Sequence, residues 1–216
     1  MQRIIVFLGP SLERDTAETI LPAGYLPPAK RGDLLRAVQD GAEIIGLIDG
    51  VFHQDSAVAH REILAAIKKG VRVVGASSMG ALRAAEMDTL GMVGIGEVYR
   101  MYKSGELVSD DEVALVFDPE TGFSLSEPLV NIRFTLREAE RQEVITPLDH
   151  ATLLTAAQAV FYPQRTYERT MSAAGAAVAP ETREKFLAWV KLHAVDQKRK
   201  DAVAALEYIK EIMKQV

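Results

Sequence analysis

The chain has 216 residues, 48% of them hydrophobic and 25% charged, with a formal net charge of −5 and no cysteine. This is an ordinary soluble, globular composition with enough chain to bury a full core. The lack of a basic tract argues against nucleic acid as a partner, no apolar run is long enough to span a bilayer, and disulfides, cysteinyl persulfides, thiolate nucleophiles and Cys-type zinc sites are excluded.

The chain opens as MQRIIVFLGPS, directly in a strand pattern. Its apolar part is shorter than a signal-peptide core and has no cleavage-site pattern, so a cytoplasmic protein is expected. Short continuous apolar runs at 4–8, 43–48 and 71–75 predict strands buried on both faces. Helical patterns lie between and after them at 33–39, at 56–69 with Ser56 as N-cap and Gly70 as stop, and at 78–90 ending at Gly91. A further run at 112–117 is expected to add an edge strand. From Asn131 glycine becomes rare and alanine common, and helical periods follow at 131–142, 148–161, 164–174, 180–193 and 196–214. The expected fold is therefore α/β, a Rossmann-like layered core with a parallel sheet, followed by a helical C-terminal extension. The expected division is a core over 1–130 and a helical region over 131–216, which packs on the core or offers a surface for a partner or for homo-oligomerisation.

In parallel α/β sheets, ligands bind outside the carboxyl ends of the strands. Three clusters fall there: Gly9-Pro10-Ser11, Asp49-Gly50-Val51-Phe52 and Gly75-Ala76-Ser77-Ser78-Met79-Gly80. The third is the most informative. A strand, then small residues around serine, then a helix is the layout of a nucleophile elbow, although centring G-x-S-x-G on Ser78 puts Ala76 where the first glycine belongs. The helix start supplies N–H groups and a positive dipole end for an anion or an oxyanion. The alternative is a serine that caps the helix without chemistry.

Other residues add to this edge. Tyr25-Leu26-Pro27-Pro28-Ala29-Lys30-Arg31-Gly32-Asp33 stiffens the backbone and presents two adjacent cations, an anion clamp or a base site, or else solvated charge on a rigid loop. Asp49 could orient Lys30 or Arg31, or cap the next turn. Arg83, five residues after Ser78, either reaches back to an anion or pairs with Glu86. His53 is the best-placed histidine for a base; His60, His150 and His193 read as structural. No histidine has metal-ligand spacing, and no metal or cofactor is expected. Asp110-Asp111-Glu112 reads as a solvated turn sooner than a cation site. The glycines of 91–96 do not fit a dinucleotide fingerprint, and no phosphate loop is present.

Taken in series, YLPPAKRGD, IIGLIDGVF with VAHREIL, GASSMGALRAAE, GMVGIGEVYRMYKSG, DDEVALVF and EPLVNIRFTL resemble the TfuA-like proteins over roughly residues 1–140. The resemblance implies a partner of a YcaO enzyme, which uses ATP to activate peptide backbone amides. It implies a part in peptide thioamidation, in natural-product biosynthesis or in modification of an archaeal enzyme. A ThiS-type sulfur-carrier protein ending in a glycine thiocarboxylate would be the substrate, and sulfide the product. Pattern matches fall on Lys30, Arg31, Asp49, Ser77, Ser78 and Arg83.

Two functions are expected on this basis. In the first, Ser78 or Ser77 attacks the terminal carbonyl and Lys30, desolvated among cations, takes the proton. Asp49 then positions the reacting groups, while Arg31, Arg83, Gly75 and Gly80 bind substrate. In the second, the chain docks the carrier on the YcaO enzyme and activates it allosterically, the serine turn holding a carboxyl terminus without chemistry. A nucleotide binder rests on fold analogy alone and lacks a phosphate loop.

Overall fold

A computed structural model describes residues 3–52, 56–118, 121–122 and 124–214. The chain divides into two compact units, Met1–Asp110 with Lys198–Val216, and Asp111–Gln197.

The first unit opens with β1 (Ile4–Phe7), α1 (Arg14–Ile20), β2 (Gly24–Leu26) and α2 (Asp33–Gln39). It continues with β3 (Ile44–Leu47), α3 (His60–Lys68), β4 (Arg72–Ala76), α4 (Met79–Met87), β5 (Val93–Ile95) and α5 (Glu97–Ser104). The five strands pair in parallel in the order β2-β1-β3-β4-β5. This is a doubly wound order, with its topological switch between β1 and β3. Alternation along each strand divides the apolar residues between two cores. Val6, Ile44, Val74 and Ala76 face one, with Leu12, Ala17 and Leu21 from the α1 region. Ile5, Phe7, Ile45, Leu47 and Val73 face the other, with Leu34, Ile63, Ala66, Ala84 and Met87.

The second unit holds α6 (Leu129–Arg141), α7 (Pro147–Ala159), α8 (Tyr167–Ala174) and α9 (Pro180–His193). Their core gathers Leu136, Leu153, Tyr167, Met171, Phe186 and Val190. Thr146 caps α7, its hydroxyl accepting the Asp149 N–H while the Asp149 carboxylate accepts the Thr146 N–H. The last helix, α10 (Gln197–Met213), sends Ala202, Ala205, Leu206, Ile209 and Ile212 into the first core of the sheet. Gly46 of β3 admits it: a Cβ there would stand 3.1 Å from Ile209 Cδ1.

Several expectations change. α3 starts at His60 and not at Ser56, because Glu62 accepts the Ala59 N–H and so closes the helix start there. The edge strand expected at 112–117 does not form. Glu112 lies in a 3-10 turn and takes a bidentate pair from Arg133, at 2.8 and 2.7 Å, and Phe117 makes only an isolated bridge to Ser124. The Asp111-Glu112 pair is accordingly not a solvated turn: Arg165, 1% exposed, donates to Asp111 Oδ2 at 2.6 Å. No helix among the described residues is long and apolar enough to cross a membrane.

Glycine at one position controls the start of α4. A Cβ added to Gly80 would overlap the Leu47 carbonyl oxygen, and the Gly80 N–H donates to Ile48 O at 3.2 Å. The overlapped atom is backbone within a buried strand and cannot swing aside. Gly80→Ala is expected to destabilise the fold by more than about 3 kcal/mol and to lower the melting temperature by roughly 6 °C or more, as read by thermal and urea unfolding.

Candidate functional site

β4 runs apolar to Ala76 and then reverses within three residues. Ser77 has φ of 66°, and the Ser78 N–H donates to Ala76 O at 2.7 Å. This is a γ-turn, a tight and strained reversal. A left-handed conformation costs an L-residue with a Cβ roughly 1–2 kcal/mol. Ser77 is fully buried, and its Oγ has no hydrogen-bond partner among the described residues. Ser78 follows as the N-cap of α4, 1% exposed, with no hydrogen bond from its side chain to the helix start. The two adjacent serines thus differ. Ser78 takes the capping position at φ −116° and ψ −128°, outside the helical and extended regions, and Ser77 carries the positive φ and the unsatisfied hydroxyl.

The first turn of α4 has few free donors. Gly80 N–H is committed to Ile48 O, and Ala81 N–H reaches Ser78 O at 2.9 Å. Among the described residues, this leaves the Met79 N–H as the first-turn donor open to an anion. Gly75 and Gly80 act by their lack of side chains, since a Cβ on Gly75 would overlap Gly80 O and Met92 Cε. Both are buried against backbone.

Asp49 serves the neighbouring loop. It is 2% exposed, and its Oδ2 accepts the Gly9 N–H at 2.8 Å and the Ser11 N–H at 3.2 Å, while Oδ1 accepts the Ser11 hydroxyl at 2.7 Å. The carboxylate therefore ties the carboxyl ends of β1 and β3 together at the topological switch. The bonds orient neither Lys30 nor Arg31. Ser11 thus joins the site, and a hydroxyl four residues past the end of β1 is its signal in the sequence.

The proline-stiffened segment is placed by its backbone. Ala29 N–H donates to Asp49 O at 2.9 Å and Val51 N–H to Ala29 O at 3.0 Å, so the segment runs parallel to the chain at Gly50. Arg31 N–H donates to Ser56 O at 2.7 Å, and Gly32 N–H to Glu62 Oε2 at 2.7 Å. Glu62, 2% exposed, is the carboxylate that anchors this loop, and it too escaped the sequence reading. Lys30 is exposed and its N–H donates to Asp33 Oδ2 at 3.0 Å. The expected desolvated lysine base is thus absent at position 30: the prolines set the backbone and leave the side chain in water.

Beside the serine turn a cavity of about 620 Å³ is lined by Arg31, Val58, His60, Met79, Arg83 and Glu86, among others. Arg83 Nε donates to Val58 O at 3.0 Å and Nη1 to Glu86 Oε2 at 2.7 Å; His60 Nε2 meets the same carboxylate oxygen at 2.7 Å. The structure therefore brings Met79, Arg31 and Arg83 to one cavity. Asp49 bonds to a different loop, and neither serine hydroxyl is hydrogen-bonded to Lys30 or Arg83. His53 lies outside the described residues.

Tyr25 is excluded from proton transfer. Burial pushes its phenol up to about 12, and the hydroxyl sits between the carbonyls of Ala17 and Leu21 at 2.9 and 2.8 Å. Among the described residues there is no group of three or more His, Asp or Glu side chains that could hold a metal ion.

The sequence profile of the TfuA-like protein family matches residues 49–166, more than half of the chain. The match includes Asp49, the serine turn and Arg83. No curated protein matches the chain.

The strain at Ser77 gives a thermodynamic signature. Glycine accepts positive φ and has no hydroxyl to leave unpaired, gains that exceed its extra unfolded-state entropy of about 0.5–1 kcal/mol. Ser77→Gly is expected to stabilise the fold by about 1 kcal/mol, raising the melting temperature by roughly 2–4 °C.

Proposed function

Because the chain belongs to the TfuA-like family, we propose that it hydrolyses the C-terminal thiocarboxylate of a ThiS-type sulfur-carrier protein and releases sulfide to a YcaO enzyme. Its role lies in the YcaO-associated thioamidation system. The finer assignment, hydrolysis in the cytoplasm ahead of peptide backbone thioamidation, rests on the serine turn.

One observation carries this reading. Ser77 holds a strained conformation and an unsatisfied buried hydroxyl at the carboxyl end of a central strand, immediately before a helix. Folding gains nothing from either feature, and such residues cluster where a reacting group is held in place. The chain has no cysteine. Sulfur cannot pass through a thiol of its own, so a covalent route needs an oxygen or nitrogen nucleophile, and the serine turn supplies an oxygen.

In the reaction, Ser77 Oγ attacks the carbonyl carbon of the carrier's terminal glycine. The carbon–sulfur bond breaks, sulfide departs, and water cleaves the serine ester to return the carrier as a carboxylate. The Met79 N–H and the positive end of α4 stabilise the developing oxyanion. The thiocarboxylate is itself an anion, and the guanidinium groups of Arg31 and Arg83 on the cavity offset its charge. A cavity of about 620 Å³ accommodates a short extended tail.

A docking function without chemistry is favoured by a different observation, the lack of a hydrogen-bonded base on Ser77 Oγ. The two readings separate in one experiment: thiocarboxylated carrier is incubated with this chain alone, and sulfide is measured. Hydrolysis predicts release without the YcaO enzyme, a loss of about 10³-fold in Ser77→Ala, and less than about tenfold in Ser78→Ala. Sulfide appearing only when the YcaO enzyme is present would establish docking instead.

A further inference from the structure

The cavity beside the serine turn has to hold an anion, yet its lining carries no excess of fixed positive charge. Among the described residues, the guanidinium groups of Arg31 and Arg83 are offset by the carboxylates of Glu86 and Asp110, with the His60 imidazole beside them. Glu86 is locked against one guanidinium. Its Oε2 accepts Arg83 Nη1 at 2.7 Å and meets His60 Nε2 at 2.7 Å, so the carboxylate is held between α3 and α4. Arg83 is fixed in turn: its side chain is 14% exposed, and Nε donates to Val58 O at 3.0 Å. Neither Arg83 Nη2 nor Glu86 Oε1 makes a hydrogen bond to a described residue. The wall therefore offers an anion one remaining donor edge, with a negative charge fastened next to it.

The pairing does little for the fold, because the Glu86 side chain is 36% exposed and helix-surface pairs of this spacing add little stability. It matters more to a bound anion. In the reaction above the carrier enters as a thiocarboxylate and leaves as a carboxylate, and each end carries one negative charge. A guanidinium fork matches the two oxygens of a carboxylate at least as well as an oxygen and a larger sulfur. Charge alone would hold the spent carrier as firmly as the loaded one. Binding beyond what captures the carrier adds nothing to the rate, and turnover requires the product to leave. A carboxylate fixed against the fork weakens its hold on an anion.

We propose that Glu86 sets how tightly the cavity holds the carrier's terminal carboxylate, and so governs release of the spent carrier. The proposal rests on the reading above, in which the carrier tail enters this cavity with its charged end at Arg31 and Arg83. Glu86 takes up Arg83 Nη1 and leaves the Nη2 edge to the tail. It also opposes the incoming charge, and the bond to His60 keeps it from turning away. Glu86→Gln removes the charge and keeps an oxygen that accepts Arg83 Nη1, so it separates the electrostatic role from the structural one.

The test is calorimetric binding of this chain to the carrier with its free terminal carboxylate, and to the same carrier ending in an amide. Glu86→Gln is expected to bind the carboxylate form roughly three- to tenfold tighter than the unaltered chain at low salt, a gain that shrinks at about 0.5 M salt. The amide form is expected to bind both proteins alike. In steady-state sulfide release, added carboxylate carrier is expected to inhibit Glu86→Gln at a correspondingly lower concentration. No gain on the carboxylate form, or an equal gain on the amide form, overturns the proposal. So does an unaltered chain that already prefers the carboxylate form by more than about 10²-fold, a reading that needs no variant to fold. The affinity measurements require no turnover. An unaltered chain that releases no sulfide removes the hydrolytic reading, and the affinities still decide the role of Glu86.

Discussion

Close approach between two backbones governs the first unit. Gly80 lies against the Leu47 carbonyl with no space for a side chain, and Gly75 lies against Gly80 in turn. With α4 pressed onto the end of β3, the chain leaving β4 cannot continue straight. It must reverse within Ala76-Ser77-Ser78, and the positive φ at Ser77 is the consequence. The strain is therefore imposed by packing on both sides of the turn, which is the condition under which an unfavourable conformation persists.

Buried carboxylates do the rest of the positioning. Asp49 joins the loop after β1 to the end of β3, and Glu62 joins the loop before α2 to the start of α3. Each accepts N–H or hydroxyl donors, which satisfies a charge that would be costly to bury alone. Asp201 does the same at the start of α5. Acids recruited as backbone acceptors hold the loops of the carboxyl edge, while Arg83 and Glu86 stay together on the cavity wall. In the second unit Arg133–Glu112 and Arg165–Asp111 apply the same principle with arginine as the donor.

The legible parts of the fold were those with long local patterns. The runs at β1 and β3, and β4 after its exposed Arg72, carry no polar side chain because both faces of the sheet are covered, and they read directly as strands. β2 and β5 are three residues each, contain glycine and are less completely buried, so no period survives to mark them. The short α1 has no side-chain cap and follows a loop, and it passed unread for the same reason. The run at 112–117 had strand composition, but Glu112 pairs with Arg133 and leaves no ladder to complete. The composition change at Asn131 marks where helices predominate; spatial contacts divide the chain at Asp110 and Gln197 instead, since α10 returns to share a sheet face with the α1 region.

The sequence by itself determined the alternation of buried strands and amphipathic helices, the parallel sheet and a serine turn between β4 and α4. These follow from periodicity and from residue types a few positions apart. Only the tertiary structure decided that Ser77 takes the positive φ, that Asp49 holds Ser11 and not a cation, and that Lys30 stands in water. Each of these depends on groups distant in the chain that meet only when the sheet is assembled, and no local pattern encodes such a meeting.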